Sequence, residues 1–245
     1  MNEHQPTSTE VSEALIGLVM DSPGVQEFLN NAAALAARQL SLAGEPAHCA
    51  VTLIRNSEPH AIAHSSELAK KADELQYGLG DGPCLVAARN GTEVVVSDFT
   101  TDERWPAYGR EVSRHGIHSL LAVPIALPGD SKCGINIYGM EQHRFSEEEY
   151  AAVREFARQA SSAVQLAIRI GEMQTRAEDL VTAMRSRTVI DIAIGIVMGQ
   201  SRCSQEEAFK VLRAASSHRN QKLRDVAAEV VRSVSEEPVR THFRG

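Results

Sequence analysis

The chain has 245 residues, 43% of them hydrophobic, which is enough for one large or two small folded domains. Its formal net charge is −7, and its four cysteines lie far apart without a CxxC pair, which argues against a disulfide framework or a metal site. Because it has neither signal-peptide features nor an apolar run of the about 20 residues that cross a bilayer, we expect a cytoplasmic protein without membrane contact.

Periodic apolar patterns divide the first half into helices and strands. In chain order they predict helices over 9–20 and 24–42, strands over 50–54 and 60–64, a helix over 67–75, a glycine-rich turn and helix over 77–91, a strand over 92–98, a helix within 102–116, and strands over 118–127 and 132–140. Strands joined by hairpins indicate an antiparallel sheet. With helices on its faces, this is an α+β fold.

A long helical pattern begins near residue 146. Ser146 and Glu149 form a predicted capping box, and Phe145 and Tyr150 have the spacing of a hydrophobic staple. The apolar stripe that follows includes Met173, Ala177, Leu180 and Met184, then Ile190, Ile194 and Val197. We interpret 146–199 as a helix that leaves its domain and pairs with a second copy of the chain. Two separate helices in two ordinary cores are the alternative.

The end of the chain is basic although the whole chain is acidic. Residues 180–234 carry nine Lys or Arg and five Asp or Glu, a net charge of +4. A second capping box, Ser204 with Glu207, begins a helix, and a turn near 218–221 leads to a last one. The predicted apolar side of the first of these helices is Ala208, Val211, Leu212 and Ala215. We expect a small three-helix bundle.

Polar and basic residues recur at helical spacing around this turn. They are Arg213, Ser216, Asn220 and Arg224, with Arg187 and Lys222 as further positive charges. Arg and Lys contact phosphates, while Ser and Asn donate to phosphates or base edges. The residues alone leave two interpretations equally open. One is a nucleic-acid surface, and the other is a solvated helix hairpin in which Asn220 caps the last helix.

In the first half, Cys84 lies at the predicted start of a helix, where the helix dipole favours a thiolate. Cys49 and Cys133 lie in predicted strands and are expected in the core. His60 and His64 are four residues apart on a predicted strand, about 13 Å, which is too far to share a metal ion. We find no Ser/His/Asp arrangement and no Walker-type phosphate loop, and we expect no enzyme.

Several segments of the first half resemble a GAF domain: GLGDGPCLVAARNGTEVVVSDF, SLLAVPI, GINIYG and HRFSEEEYAAVREFARQASSAVQLA. The resemblance covers most of 25–168 and implies a small-molecule pocket or a dimerisation module. The candidate ligand residues that it implies are Cys84, Asp98, Trp105 and Tyr108, and GAF-fold methionine sulfoxide reductases also place a cysteine in this glycine-rich segment. The stretch NIYGMEQHRFSEEE stands in place of the Asn-Lys-Phe-Asp-Glu set of cyclic-nucleotide-binding members, which argues against such a ligand.

Residues 186–231, SRTVIDIAIGIVMGQSRCSQEEAFKVLRAASSHRNQKLRDVAAEVV, resemble an ANTAR domain, the RNA-binding module of transcription antitermination regulators. The resemblance implies binding to paired short RNA hairpins in leader transcripts. The candidates for RNA contact are Arg187, Arg213, Ser216, Asn220 and Lys222, with Arg224 beside them. Ile194 replaces a frequent Lys, and Ser217 and Gln221 replace a frequent Gln and a frequent basic residue. Phe209, the only aromatic residue of the segment, is assigned to the apolar face, so recognition should rest on phosphates and hairpin shape.

The domains expected are an N-terminal helical segment (1–22), a GAF-like sensor (23–170), an ANTAR domain (171–235) and a disordered tail (236–245). The function expected is that of a ligand-responsive antitermination regulator of the actinobacterial type, dimeric through 146–199. The alternatives are a DNA-binding regulator that uses 204–234 as a helix-turn-helix, and a redox sensor or enzyme that depends on Cys84. The sequence leaves open the ligand, any cofactor, the target transcripts and the sign of the response.

Overall fold

The structure of the protein is a computed structural model that describes residues 8–40, 47–55 and 58–235. The chain folds into two compact units, an N-terminal unit, Met1–Gly171, and a C-terminal unit, Glu172–Gly245. Among the described residues, no helix is both long and apolar enough to cross a membrane. The predicted tail over 236–245 lies outside the described residues.

The N-terminal unit is a five-stranded antiparallel sheet with helices packed on its faces. Its elements are α1 (Ser8–Asp21), α2 (Val25–Gln39), β1 (His48–Arg55), β2 (Glu58–His64), α3 (Glu67–Leu79), α4 (Pro83–Asn90), β3 (Val94–Val96), α5 (Pro106–Arg114), β4 (Ser119–Ile125), β5 (Lys132–Gly139) and the beginning of α6 (Glu147–Ser201). The strand order is β2-β1-β5-β4-β3. This confirms the predicted α+β class.

Alternation of side chains along the strands gives the sheet two buried faces. On β4, Leu121 and Val123 pack in the core formed with α1, α2 and α6, while Leu120 and Ala122 point to the opposite face, under α3, α4 and α5. In the antiparallel register, Ala122 is opposite residue 136 of β5 and Leu120 is opposite residue 138. The polar side chains at 136 and 138 therefore lie on the face that α3, α4 and α5 cover.

Local signals position α3 and α4 over this face. Ser66 accepts a hydrogen bond from a first-turn N–H of α3, and the helix ends at Gly80, whose φ of 71° is in the left-handed region. The absent Cβ of Gly82 leaves room for the side chain of Gln76. This close approach brings Gln76 of α3 beside Cys84 in the first turn of α4.

The start of α6 confirms the predicted capping box and staple. Ser146 N donates to Glu149 Oε2 at 2.6 Å, and Glu149 N donates to Ser146 Oγ at 3.3 Å. The rings of Phe145 and Tyr150 have centroids 6.3 Å apart. From there α6 continues without a break for 55 residues.

The C-terminal unit joins the end of α6 to α7 (Gln205–Arg219) and α8 (Leu223–Arg232). Its buried core is Ala193, Ile194, Val197, Ala208, Leu212, Val226, Ala227 and Val231. The second predicted capping box is present, with Ser204 and Glu207 satisfying each other's backbone N–H. The three-helix bundle is thus as expected.

The structure differs from the sequence predictions in a few boundaries and in one helix face. β3 covers only 94–96 instead of 92–98, and α3 continues beyond 75 to Leu79. On α7, Val211 is 55% exposed and Phe209 is 38% exposed, so assigning them to the apolar face was wrong. The buried stripe of α7 is narrow because a small bundle covers little of each helix surface.

Candidate functional sites

A cluster of buried polar side chains lies on the sheet face beneath α3, α4 and α5. Its members, called here the polar cluster, are His64, Asp73, Gln76, Cys84, Tyr108, Asn136 and Tyr138. Asp73 Oδ1 lies at its centre, since it accepts the Tyr138 hydroxyl at 2.5 Å and lies 3.5 Å from both Asn136 Nδ2 and Gln76 Nε2. The polar cluster is formed by side chains from five elements, which are β2, α3, the first turn of α4, α5 and β5.

Part of the polar cluster has no hydrogen-bond partner. The unpartnered buried atoms are Asp73 Oδ2, Asn136 Oδ1, Tyr108 Oη and His64 Nε2. The two of these that belong to Asp73 and His64 face each other at 3.5 Å. An unsatisfied buried polar group costs about 1–3 kcal/mol, and more when it is charged. Such an arrangement is costly for a purely structural core.

Cys84 is held in this cluster as a buried thiol. Its N–H donates to Gln76 Oε1 at 2.9 Å, and Gln76 Nε2 donates to its Sγ at 2.8 Å. The predicted position in the first turn of a helix is correct. However, burial, and next the charge of Asp73, raise the pKa of the Cys84 thiol well above its ordinary value. Burial therefore opposes the thiolate that the helix dipole would favour, and the thiol form of Cys84 is stabilised.

The other cysteines predicted in the core are there. Cys49 on β1 and Cys133 on β5 are buried, and burial raises the pKa of both thiols, that of Cys133 to about 12. Cys49 is opposite residue 137 in the register and Cys133 is opposite residue 53, so the two are not cross-strand neighbours. Both are small core side chains.

The two tyrosines of the cluster are hydrogen-bond donors. Burial, followed by the charge of Asp73, raises the pKa of Tyr138 well above its usual value, and burial does the same for Tyr108. Tyr108 also stacks edge-on against Phe99, with ring centroids 5.5 Å apart. Its hydroxyl lies toward Gln76 and Tyr138 but makes no hydrogen bond of standard geometry.

Of the four predicted ligand residues, only Cys84 and Tyr108 belong to the cluster. The Asp98 carboxylate accepts hydrogen bonds from Thr100 N at 2.8 Å and Thr100 Oγ1 at 2.7 Å, and these bonds lower its pKa. Trp105 precedes α5 with Arg104 stacked 4.7 Å from its ring centroid. Asp98 and Trp105 therefore order the loop that leads into α5.

An open cleft of about 980 Å³ runs along the outer side of α5. Its lining residues are Phe99, Thr100, Thr101, Asp102, Glu103, Pro106, Gly109, Arg110, Ser113 and Arg114. Its charged lining residues are two acidic and two basic side chains, so the cleft has no common sign of charge. The cleft is separate from the polar cluster.

Sequence reasoning missed most of the polar cluster, although one signal was present. Asp73 and Gln76 are one helical turn apart on α3, on the side that carries the buried Ala69 and Ala72. Asn136 is a polar residue between the apolar positions 135 and 137 of β5. A polar residue inside an apolar pattern is the mark that could have identified them.

The second candidate site surrounds the turn between α7 and α8 in the C-terminal unit. Asn220 ends α7 with φ 51° and ψ 40°, and its N–H bonds to the carbonyls of Ser216 and Ser217. Ser216 Oγ donates to Gln221 O at 2.6 Å. Arg219 Nη1 donates to Glu229 Oε2 at 2.8 Å, which ties α7 to α8. These bonds give the turn a defined shape.

Five of the six predicted RNA residues are exposed, around this turn or on α6, and Ser216 is half-buried. Arg213 and Lys222 have no acidic partner among the described residues, and the pairs of Arg187 with Asp191 (3.8 Å) and of Arg224 with Asp225 (3.5 Å) are long and exposed. The six residues, called here the basic surface, are Arg187, Arg213, Ser216, Asn220, Lys222 and Arg224. Arg187 belongs to a different helix from the rest.

The turn predicted near 218–221 is present, because Asn220 in the left-handed conformation ends α7 and α8 begins at Leu223. Asn220 also closes α7 instead of capping α8, and Lys222 occupies the N-cap position of α8. The residues are grouped by the turn and not by one continuous helix face.

Comparison with known proteins identifies both units. The sequence model of the GAF domain family matches residues 22–165, more than half of the chain, so the protein belongs to this family. The ANTAR domain model matches residues 178–231. The chain thus joins a GAF domain, a signal-sensing module, to a C-terminal ANTAR domain, which implies RNA binding in transcription antitermination. This architecture is typical of regulators without enzymatic activity.

Similar solved structures cover 66% to 72% of this chain. One is the GAF domain of a phosphoenolpyruvate-protein phosphotransferase from Coxiella burnetii, with 19% identity, 72% of this chain and 99% of that chain covered, and a TM-score of 0.47. Another is an N-acylhomoserine lactone dependent LuxR family transcription factor from Burkholderia cenocepacia, with 14% identity, 66% of this chain and 97% of that chain covered, and a TM-score of 0.49. A third is free methionine-R-sulfoxide reductase from Neisseria meningitidis in complex with its substrate, with 16% identity, 69% of this chain and 95% of that chain covered, and a TM-score of 0.45. No curated protein matches the chain.

Proposed function

We propose that the protein is a cytoplasmic, ligand-responsive regulator that binds paired stem-loops in leader transcripts and so prevents transcription termination. The observation that carries this proposal is the basic surface. Arg213 and Lys222 are exposed and lack acidic partners among the described residues, while Asn220 and Ser216 hold the turn between them. Unneutralised cations on a shaped turn suit a folded polyanion.

The start of α8 adds to the anion-binding character of this surface. Lys222 at the N-cap makes no side-chain cap hydrogen bond. The first N–H groups of α8, those of Leu223 and Arg224, have no intrahelical acceptor because they lie in its first turn. The helix dipole is positive at this end. A phosphate of the RNA backbone placed at this terminus would meet N–H donors as well as cationic side chains.

The recognition mode follows from what the C-terminal unit offers. Phe209 is its only aromatic residue among those described, and it is only partly exposed on α7. One such ring provides no platform for stacking a run of unpaired bases. Phosphate contacts and the shape of a stem-loop would then supply most of the affinity, with Asn220 and Ser216 as the polar groups nearest to loop bases.

Dimerisation is proposed to place two such surfaces on one RNA. Met173, Ala177, Leu180 and Met184 follow one another at spacings of four, three and four, as the core positions of a coiled coil do. Met173 is 69% and Leu180 63% exposed in the single chain. A second copy of α6 packed on this stripe would bury it. The second stem-loop would then bind at a high effective concentration.

The N-terminal unit would act as the sensor. A ligand controls RNA binding only if it binds more tightly to one state of the dimer than to the other. A Cys84-dependent enzyme or redox sensor is disfavoured because the thiol is buried and its pKa is raised. Competition between leader RNA and duplex DNA tests the alternative that α7 and α8 bind DNA.

The test is binding of the full-length protein to a labelled leader RNA with two stem-loops, in competition with duplex DNA of equal length. We expect RNA to be preferred, and Arg213→Ala to weaken binding about tenfold through a lost phosphate contact. Arg232→Ala, which removes the same charge at the far end of α8, serves as the matched control. Equal competition by DNA, or an unaffected Arg213→Ala protein, would show that the proposal is wrong.

A further inference from the structure

The polar cluster contains a buried carboxylate, Asp73, whose one ion-pair contact among the described residues is with the ring of His64. Asp73 is 1% exposed, and its Oδ2 accepts no hydrogen bond. Among the described residues, no Lys or Arg lies within ion-pair distance of Asp73, and the nearest titratable ring is that of His64, with Nε2 3.5 Å from Oδ2. Buried carboxylates are normally paired with a cation or with several donors. Half of this carboxylate is left for something else to bind.

Unpartnered groups from other elements converge on the same carboxylate. The Asn136 amide lies against Asp73, with Nδ2 3.5 Å from Oδ1, and its own Oδ1 is unpartnered. Tyr108 brings an unpartnered hydroxyl from α5, and the part-exposed His64 brings a ring nitrogen from β2. Folded interiors leave few such groups unsatisfied. Together with Asp73 Oδ2, these three make four unpartnered groups from four elements that are available as hydrogen-bond donors and acceptors.

We propose that the polar cluster binds a small molecule that carries a protonated amine. The amine N–H groups would donate to Asp73 Oδ2 and Asn136 Oδ1, and the Tyr108 hydroxyl would donate to an acceptor on the same molecule. An anionic group in this position would be repelled by Asp73 in a region of low dielectric constant. This inference rests on the proposed sensor role of the N-terminal unit and names the chemistry of its ligand.

Small probe ions test the proposal in the wild-type protein. Trp105 is the only tryptophan and belongs to the N-terminal unit, so its fluorescence reports the thermal unfolding of that unit. Methylammonium chloride is titrated at constant ionic strength maintained with sodium chloride. With two non-hydrogen atoms, methylammonium binds with a dissociation constant of about 6 mM at best, so the titration extends to about tenfold that value.

We expect methylammonium to raise the unfolding midpoint along a saturable curve. Tetramethylammonium, which has the charge but no N–H group, and sodium formate, an anion of similar size, should have no such effect. If either ion raises the midpoint as methylammonium does, the proposed selectivity is wrong. If none of them acts, the cluster binds no amine and the proposal is overturned.

A variant pair locates the effect. Asp73→Asn keeps the shape of the side chain and removes its charge, and we expect it to bind methylammonium at least tenfold more weakly. Asp102→Asn changes a carboxylate that pairs with Arg104 outside the cluster, and we expect wild-type binding. Wild-type affinity in Asp73→Asn would overturn the proposal. RNA binding measured on the same proteins separates the two proposals, because a failed amine test with intact RNA binding rejects only this one.

Discussion

Asn220 illustrates how one residue can serve both a turn and a surface. Its backbone is in the left-handed region, which Asn adopts more readily than most residues other than Gly, and its N–H closes the end of α7. The Asn220 side chain takes no part in this closing hydrogen bond and is exposed to solvent. The backbone role and the side-chain role are therefore separable by substitution.

Replacing Asn220 by Gly and by Ala separates them. Gly adopts the left-handed backbone freely, so we expect Asn220→Gly to retain the stability of α7 and α8. Asn220→Ala should lower it by about 1 kcal/mol, because Ala tolerates the left-handed conformation less well than Asn or Gly does. Hydrogen exchange of the α7 and α8 amides measures both. Equal losses in the two variants would show that the side chain, and not the backbone, stabilises the turn.

Two tyrosines of the polar cluster form a matched pair. The Tyr138 hydroxyl donates to Asp73 at 2.5 Å, whereas that of Tyr108 has no partner. We expect Tyr138→Phe to destabilise the N-terminal unit by about 1–2 kcal/mol, since the bond to a carboxylate is lost, and Tyr108→Phe to leave it unchanged or more stable. Urea unfolding followed by Trp105 fluorescence gives both values. A larger loss in Tyr108→Phe would contradict the hydrogen-bond pattern described.

Secondary-structure elements with local signals could be predicted from the sequence. The capping boxes at Ser146 and Ser204 involve residues three positions apart, and so they mark helix starts without knowledge of the fold. The polar cluster has no such signal, because Asp73 and Asn136 are 63 residues apart and meet only through the strand register and the packing of α3. Tertiary contacts of this kind are not encoded in any single segment.

Acid sensitivity is expected where α6 meets the segment before β3. Arg154 donates to both oxygens of Glu93 at 2.7 Å, and this pairing lowers the pKa of Glu93 below its ordinary value of 4.5. A lowered folded-state pKa stabilises the fold above the unfolded-state value, and this stabilisation is lost as pH falls through the folded-state pKa.

The wild type should therefore be more stable than Glu93→Gln at about pH 7, and the difference should be smaller at an acidic pH below 4.5, where Glu93 becomes protonated as pH falls through its folded-state pKa. The difference is small because both side chains are partly exposed. Urea unfolding by Trp105 fluorescence at the two pH values is the measurement. A difference that does not change with pH would mean that packing, and not the ion pair, accounts for the effect of Glu93.

The exposed stripe of α6 leads to a prediction about assembly. If it forms a dimer seam, Leu180→Lys places a charge in an apolar interface, and the dimer should dissociate at least tenfold more readily. Val211→Lys, at an exposed apolar position on α7, is the control and should leave assembly unchanged. Sedimentation equilibrium gives the mass of each protein. A wild-type monomer, or a Leu180→Lys dimer of unchanged stability, would contradict the proposed seam.

At the scale of the whole molecule, the proposed function assigns ligand sensing and RNA binding to different units. The polar cluster lies inside the N-terminal unit, and the basic surface lies on the C-terminal unit, with α6 contributing to both units. Neither site contains a nucleophile poised for chemistry, since the one cysteine in the cluster is a buried thiol with a raised pKa. The proposed regulator, which would bind a small molecule and RNA, would need binding energy alone.

The most direct test is the salt dependence of RNA binding. The affinity of the full-length protein for a two-stem-loop leader RNA is measured at several salt concentrations, for the wild type, for Arg213→Ala combined with Lys222→Ala, and for Arg232→Ala. We expect log K to fall linearly with log salt in the wild type. The magnitude of this slope should be smaller by about 1 for each phosphate contact removed in the double variant. It should be unchanged in Arg232→Ala. A double variant with the wild-type slope would show that the basic surface does not contact RNA phosphates.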